Sequence, residues 1–550
     1  MIYSKLSFIQ SKGKFLLLAF TGTLFLLSQP AFPQYFTHGM EPAQLYGVHE
    51  IRLSSTTDTP NPFDTHAEIT FYPPPPHPSV QIPLFYDGNH TWRGRAYITT
   101  PGRWTWRTHS QDDSKLDNRS GFFNAVDSAL PGKLRIHPHN PKAFADERGR
   151  TFLNIANTAY YLFSGDPGAD TWREFIQEDW DLGIRMLRGL SQGKFAPELF
   201  EGDTDLDKLN LAAFQRTDLR LTWMLNTYPG MYVEFILFQF EAEWKEDESF
   251  WASLTAAQKD RVLRQYVARY AAFPQILWEI HNDLRYDPGW NNTKAAIEKG
   301  TYLKKHDPWG TLITTGAYRD APFPFPHEPW VSFIHIETLN ALTADQVADY
   351  AHLPMPVFNG EDRYEAYRGP AHPQYYYRRL MWTWLLSGSS ATYGQRWHNR
   401  DGATINQPLT PYSQTNYRGL HSVKLIRPFF EDRAIDIALY RDADGLGQDA
   451  DYRGEANRPQ IAAHGNKSFL IYHPNATEAK HGAKSDTEIT AGLILDLTSY
   501  SGSYRAQWFN AHDGRTAPGG EISSGGKVLL RAPWIGVDVV LRLEQLKITK

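Results

Sequence analysis

Between about residue 134 and residue 430 the chain alternates short apolar β-type segments with amphipathic helical ones, and this pattern restricts the fold more than any other feature. The strands read as "RTFLNIANTAYYLF", "IRMLRGLS", "YVEFILFQF", "QILWEIHNDL", "TLITTGA", "VSFIHIET", "MPVFNGE" and "SATYGQRW", and each but the fifth precedes a recognisable helix. Alternating β and α segments imply a parallel sheet, and eight units fit a closed (β/α)₈ barrel, a TIM barrel, better than an open sheet. "TAAQKDRVLRQYVARYAAFP" illustrates the helical grammar, with a Thr cap at its start and Pro beyond its end.

On either side the period changes to two. Residues 37–130 carry "AEITF", "VQIPLFYDG", "WRGRAYIT" and "RWTWRT" between Pro and Gly turns, which predicts an N-terminal immunoglobulin-like β-sandwich. Residues 435–550 carry "NKSFLIYHP", "AGLILDL", "YRAQWFNAHDG" and "GVDVVLRLEQ", which predict a second sandwich. The expected division is thus a leader at 1–31, sandwiches at 37–130 and 435–550, and the barrel at 134–432. The leader reads as an export signal: Lys5, Lys12 and Lys14 precede the apolar run Phe15 to Leu27. That run falls short of the roughly 20 residues that span a bilayer. A periplasmic or extracellular protein, not inserted in a membrane after cleavage, is expected.

Composition removes several classes of chemistry. The chain has no cysteine, so thiol nucleophiles, thiolate metal sites and disulfides are excluded. The formal charge of −5 gives no reason to expect nucleic acid. No Gly-rich phosphate loop follows the first strand, no His-x-x-x-His spacing marks a metal site, and "SGSSA" lacks a Gly-x-Ser-x-Gly elbow. Neither cofactor nor metal is expected. Aromatic residues make up 14% of the chain, and exposed Trp and Tyr faces stack on sugar rings, so a carbohydrate ligand is favoured. Oligomeric state is not legible.

In a barrel of this kind the chemistry sits at the carboxyl ends of the strands. Strand one ends at Asn157, Thr158 and Tyr160, strand two at Arg188, strand three at Gln239 and Glu241, and strand four at His281, Asn282 and Asp283. Strand six ends at His335 and Glu337, strand seven at Asn359, Gly360 and Glu361, and strand eight at Gln395, Trp397 and His398. Asp283 and Glu361 stand out as a carboxyl pair across the mouth. Glycoside hydrolysis needs such a pair, one group to protonate the leaving oxygen and one to attack the anomeric carbon or activate water. Asn282, His281, His335, Tyr364, Asn157, Tyr160, Arg188 and Trp397 are the candidate substrate-binding residues. Glu279, deeper on strand four, reads as one half of a buried ion pair with an Arg, and Glu337 as the reserve carboxylate.

Several stretches together resemble the apiosidase-like glycoside hydrolases: "FLNIANTAYYLF", "ILWEIHNDL", "FNGEDRYE" and "LMWTWLLSGSSATYG" in the barrel, "LFYDGNHTWRGRAYITTPGRWTWRT" before it, and "YRAQWFNAHDG" and "GVDVVLRL" after it. The last sandwich also resembles a domain described as collagen-binding. The resemblance implies a retaining double displacement with Asp283 as acid/base and Glu361 as nucleophile, acting on plant or algal cell-wall glycans. One departure is visible. Where a Gly-Asp-Thr-Ala-Trp run is expected at strand one, this chain has "ANTAY", with Asn157 for the carboxylate and Tyr160 for the Trp. A carbohydrate-binding protein that kept the barrel without its activity is the alternative.

Overall fold

A computed structural model of the chain describes residues 34–57, 59–165, 171–191, 199–201, 205–238, 250–365, 369–394, 418–477, 484–485, 487–546. The expected leader, together with Gln239, Glu241, Gln395, Trp397 and His398, lies outside the described residues. Among them no helix is long and apolar enough to cross a membrane.

The eight barrel strands are β1 (Ile155–Thr158), β2 (Met186–Leu190), β3 (Tyr232–Phe238), β4 (Ile276–His281), β5 (Ile313–Thr314), β6 (Ile334–Glu337), β7 (Val357–Glu361) and β8 (Ser390–Tyr393). All pair in parallel, in the spatial order β5-β4-β3-β2-β1-β8-β7-β6. The remaining seam, between β5 and β6, is bridged by other means. Ser332 N–H donates to the Ile313 carbonyl at 2.8 Å, and Thr314 Oγ1 donates to the Phe333 carbonyl at 2.8 Å. The strands are buried along their whole lengths, which is why they read as near-continuous apolar runs.

Five longer helices cover the barrel: α1 (Trp172–Asp181), α2 (Leu211–Thr227), α3 (Ala256–Tyr270), α4 (Asn291–His306) and α5 (Pro373–Leu386). α3 starts as its sequence requires. Thr255 Oγ1 accepts from Gln258 N–H while the Gln258 side chain accepts from Thr255 N–H, a reciprocal capping box that satisfies two donors no helical carbonyl can reach. No helix lies between β5 and β6, and after β6 only the single turn Gln346–Asp349 forms, with no side-chain cap. The helix expected after β8 is two short pieces, Gly419–Ser422 and Ile426–Glu431.

Before the barrel, a four-stranded and a five-stranded sheet enclose Ile51, Leu53, Ile69, Phe71, Trp104 and Phe123. After it, a six-stranded and a three-stranded sheet enclose Ile461, Phe469, Leu493, Trp508 and Leu541. Both sandwiches are tied to the barrel by buried charge pairs. Arg95 of the first meets Asp218 on α2 at 2.8 Å, and Asp87 meets Arg269 on α3 at 2.6 Å. Arg378 on α5 meets Asp538 of the second at 2.5 Å, beside Trp382 packed on Tyr472 and Phe509. Groups desolvated this completely hold a fixed docking geometry, because separating either partner strands a charge in apolar surroundings.

Candidate active site

The strand alternation builds the barrel interior in layers. At the bottom, Ala156, Met186, Tyr232, Leu277 and Phe358 point inward and close against Leu134 and Phe144, which flank and belong to the hairpin of Arg135–His137 and Asn140–Ala145. Two residues further along, the same parity delivers Arg188, Glu234, Glu279 and Gly360 to the interior, and His335 follows Phe333 likewise. An apolar floor is thus overlaid by a layer of buried charge.

Arg188, on β2, organises that layer. Its Nε donates to Glu279 Oε2 at 2.9 Å and its Nη2 to Glu279 Oε1 at 2.5 Å, a two-pronged pair that fits guanidinium and carboxylate planes together. The same Nη2 reaches Glu337 Oε1 at 2.8 Å and Asn282 Oδ1, while Nη1 donates to Glu361 Oε2 at 3.0 Å and to the Tyr160 hydroxyl at 2.5 Å. The Glu279 ion pair expected from strand parity is therefore present, with Arg188 as its partner. His335 Nδ1 lies 2.8 Å from Glu234 Oε1, and its Nε2 faces Glu337 Oε1 at 3.5 Å. Burial opposes charge on this ring, but Glu234 and Glu279 outweigh it and hold His335 up at about 10. Burial also opposes ionisation of Glu337, yet Arg188 and His335 hold its carboxyl below the usual range.

Two glycines make this density of charge feasible. A Cβ on Gly360 would stand 1.9 Å from His335 Cε1. One on Gly316, just past β5, would stand 2.8 Å from both Glu279 Oε1 and Glu337 Oε1.

Above this layer lie Glu361 and Asp283, in contrasting surroundings. Glu361, at the end of β7, is surrounded by donors: Tyr160 and Arg188 Nη1 on Oε2, and Arg319 Nη2 on Oε1. Tyr364 reaches it indirectly, donating to the Tyr160 hydroxyl at 3.2 Å. Asp283 follows β4 in the left-handed region, φ 57°, a conformation that Asp tolerates better than most residues and that is enriched at functional sites. Its Oδ1 is buried without a hydrogen-bond partner. Burial first, then the carboxylates of Glu337 and Glu361, push its pKa up to about 9 against the opposing pull of Arg319. At neutral pH Asp283 carries a proton.

The other candidates divide by direction. Asn282 Oδ1 takes Arg188 Nη2 and lies 3.3 Å from the Tyr160 hydroxyl, so Asn282, Tyr160, Arg188 and Tyr364 converge with Glu361. Asn157 does not join them. It has the opposite parity to Ala156, and its Nδ2 donates to both Asp179 oxygens on α1 at 3.0 Å. His281 also departs from expectation. Regular alternation would carry it inward with Glu279, but the strand ends there and its ring turns to the helix layer, 3.1 Å from the Tyr286 hydroxyl and 2.6 Å from Lys299 Nζ on α4. His335 is fully buried in the lower layer among Glu234, Glu337 and Gly360.

Two residues of the cluster escaped the strand-end filter. Glu234 lies mid-strand, where inward parity alone marks it. Arg319 lies beyond β5, and the missing helix after that strand was the available signal of an unusual loop. Glu234, Glu279 and His335 also offer three ligand atoms within 4.8 Å of one another, but Arg188 already occupies both oxygens of Glu279, so this donor set suits a guanidinium and not an added cation.

Residues 139–435 match the family model described as "Apiosidase-like, catalytic domain", and residues 42–111 match a domain of unknown function, DUF5060. No curated protein matches the chain. Among solved structures, a Bacteroides vulgatus protein described as a candidate glycoside hydrolase superposes with a TM-score of 0.68 at 16% identity, covering 93% of this chain and 100% of that one. A glycoside hydrolase family 5 protein from the same organism has a TM-score of 0.59 at 15% identity, covering 76% and 95%. A third, named only as a glycoside hydrolase, has a TM-score of 0.55 at 14% identity, covering 76% and 98%. These likenesses establish the shared fold, and the family match spans more than half of the sequence. The chain belongs to the apiosidase-like family.

Proposed function

We propose that the protein is an exported glycoside hydrolase that retains anomeric configuration, with Asp283 as acid/base and Glu361 as nucleophile. The observation that carries this reading is the contrast between the two carboxyl groups. One is buried, raised to about 9 and unpartnered at Oδ1, and the other is held by three donors. A raised, buried carboxyl suits Asp283 to give a proton, and the donors around Glu361 orient it to attack.

In the first step a Glu361 oxygen bonds to the anomeric carbon, the bond to the leaving oxygen breaks, and Asp283 protonates that oxygen. In the second, water attacks the anomeric carbon, its proton passes to Asp283, and the ester to Glu361 breaks. Esterification removes the Glu361 charge that helps to raise Asp283, so the same group becomes a weaker acid-form holder when it must accept a proton. Asn282 and Tyr160 are assigned to orient the sugar and the nucleophile. Trp397, outside the described residues, is assigned from the sequence to stack on a sugar ring. The N-terminal apolar run supports export, and the family resemblance supports plant or algal cell-wall glycans as substrates.

The test is sugar release from pectic and algal polysaccharides and a panel of aryl glycosides, with wild type beside Glu361→Gln and Asp283→Asn. Release by wild type, with overall retention by NMR and a large loss in both variants, supports the assignment. Undiminished release by Glu361→Gln removes Glu361 from its role and transfers attention to Glu337. Glycan binding without release by wild type identifies a binding protein instead.

A further inference from the structure

Two buried polar atoms at the barrel mouth lack hydrogen-bond partners and are complementary in chemistry: Asp283 Oδ1 and Arg319 Nε. They belong to residues that already interact, because the charge and the backbone of Arg319 both favour the ionised form of the Asp283 carboxyl. The Arg319 guanidinium, however, is engaged elsewhere, with Nη2 on Glu361 Oε1. Arg319 therefore acts on both carboxyls, electrostatically on Asp283 and by a direct ion pair on Glu361.

The two cations beside Glu361 differ in freedom. Arg188 is fully buried and clamped by Glu279 and Glu337. The Arg319 side chain is 29% exposed, and among the described residues its side-chain partner is Glu361. The groups facing Asp283 are Glu337 from β6, Glu361 from β7 and Arg319 from the loop after β5. Those facing Glu361 are Arg188 from β2, Tyr160 from beyond β1, Tyr364 from beyond β7, and Arg319. Among these described residues Arg319 is the cation common to both sets.

We propose that Arg319 is a positioning residue whose guanidinium follows the negative charge of the reaction, resting on Glu361 before attack and passing to Asp283 once Glu361 is esterified. The inference rests on the retaining reading above. In the first step one unit of negative charge leaves Glu361 and appears on Asp283, which has given its proton to the leaving oxygen. In the second step it returns. A cation fixed on Glu361 would lose its partner in the glycosyl-enzyme. A cation able to move offers Nε to Asp283 Oδ1 and holds that carboxylate ionised, ready to take the proton of water.

The experiment uses a dinitrophenyl glycoside of the sugar that the wild-type enzyme releases, a leaving group that makes hydrolysis of the glycosyl-enzyme limit kcat. The acidic limb of the kcat profile then reports ionisation of Asp283 in the intermediate. Wild type, Arg319→Met and Arg319→Lys are compared, with Arg319→Gln in place of Met if that variant does not fold. Loss of the cation should move the limb up by about one pH unit or more, and Lys should restore part of the shift. Reduced activity with an unmoved limb overturns the proposal and leaves Arg319 a structural residue. The 2-fluoro analogue of the same glycoside separates the two levels. If wild type forms no covalent adduct by mass spectrometry, the retaining reading falls and this proposal with it. An adduct together with an unmoved limb defeats the role of Arg319 alone.

Discussion

Replacing Gly360 by alanine tests whether the charged layer beneath the site depends on one missing methyl group. The added Cβ would lie 1.9 Å from His335 Cε1, 2.5 Å from Nε2 and 2.6 Å from Nδ1. Carbon atoms in contact prefer about 3.5–4.0 Å, so the ring must retreat by more than an ångström. His335 is fully buried, and its Nδ1 bond to Glu234 Oε1, 2.8 Å long, fixes its place. Retreat breaks that bond and leaves Glu234 in the interior with only the more distant Arg188, 3.9 Å away, for a partner. Overpacking alone costs about 1–3 kcal/mol, and losing a buried charge pair about 3–5 kcal/mol. The two overlap, so we expect about 3–5 kcal/mol in total. At about 2 °C per kcal/mol for a unit of this size, Tm falls by roughly 6–10 °C. Differential scanning calorimetry provides the measurement, with Gly445→Ala as control because its Cβ would meet nothing within 4 Å. Adding His335→Ala to Gly360→Ala should cost far less than the sum of the two single changes, since the ring is the obstacle. Equal Tm values for Gly360→Ala and Gly445→Ala, or strict additivity in the double variant, would refute the argument.

Three further outcomes follow from the same geometry. Asp283 binds a proton in the folded protein up to about pH 9, whereas in the unfolded chain it releases it near 3.8. Wild-type stability therefore decreases as pH rises between these values, and the Tm advantage of Asp283→Asn should be larger at pH 8 than at pH 5. The basic limb of kcat/KM, near pH 9 in wild type, reports the same group. Tyr160→Phe removes a donor from Glu361 while leaving Arg188 and Arg319 in place; kcat/KM should fall by about 10–100-fold, with little change in Tm. Arg378→Met strands the buried Asp538 carboxylate, which keeps only Tyr472 at 3.0 Å among its described side-chain donors; denaturant unfolding should show a loss of about 3–5 kcal/mol.

The architecture was legible because it rests on local periodicity. Eight apolar runs alternating with helical ones, between two stretches of period two, specify a parallel barrel with flanking β-sheets without knowledge of any distant contact. The same logic located Asp283, Asn282, Glu361, Arg188 and Tyr160, since barrel geometry places strand ends at one mouth wherever they fall in the sequence. Parity gave the Glu279 ion pair but not its consequences. That Arg188 binds Glu279, Glu337 and Glu361 at once is a property of three strands closing on a fourth. Directions at strand ends were beyond the sequence, because alternation stops where the ladder stops: His281 turns to Lys299, and Asp283 enters the left-handed region. Arg319 lies in a loop with no period at all, and only the closed barrel brings its side chain to Glu361. Sequence determines which groups a strand can present, since the pleat repeats every two residues. Tertiary structure decides which of them meet and how dry the meeting place is, and the proton on Asp283 depends on both.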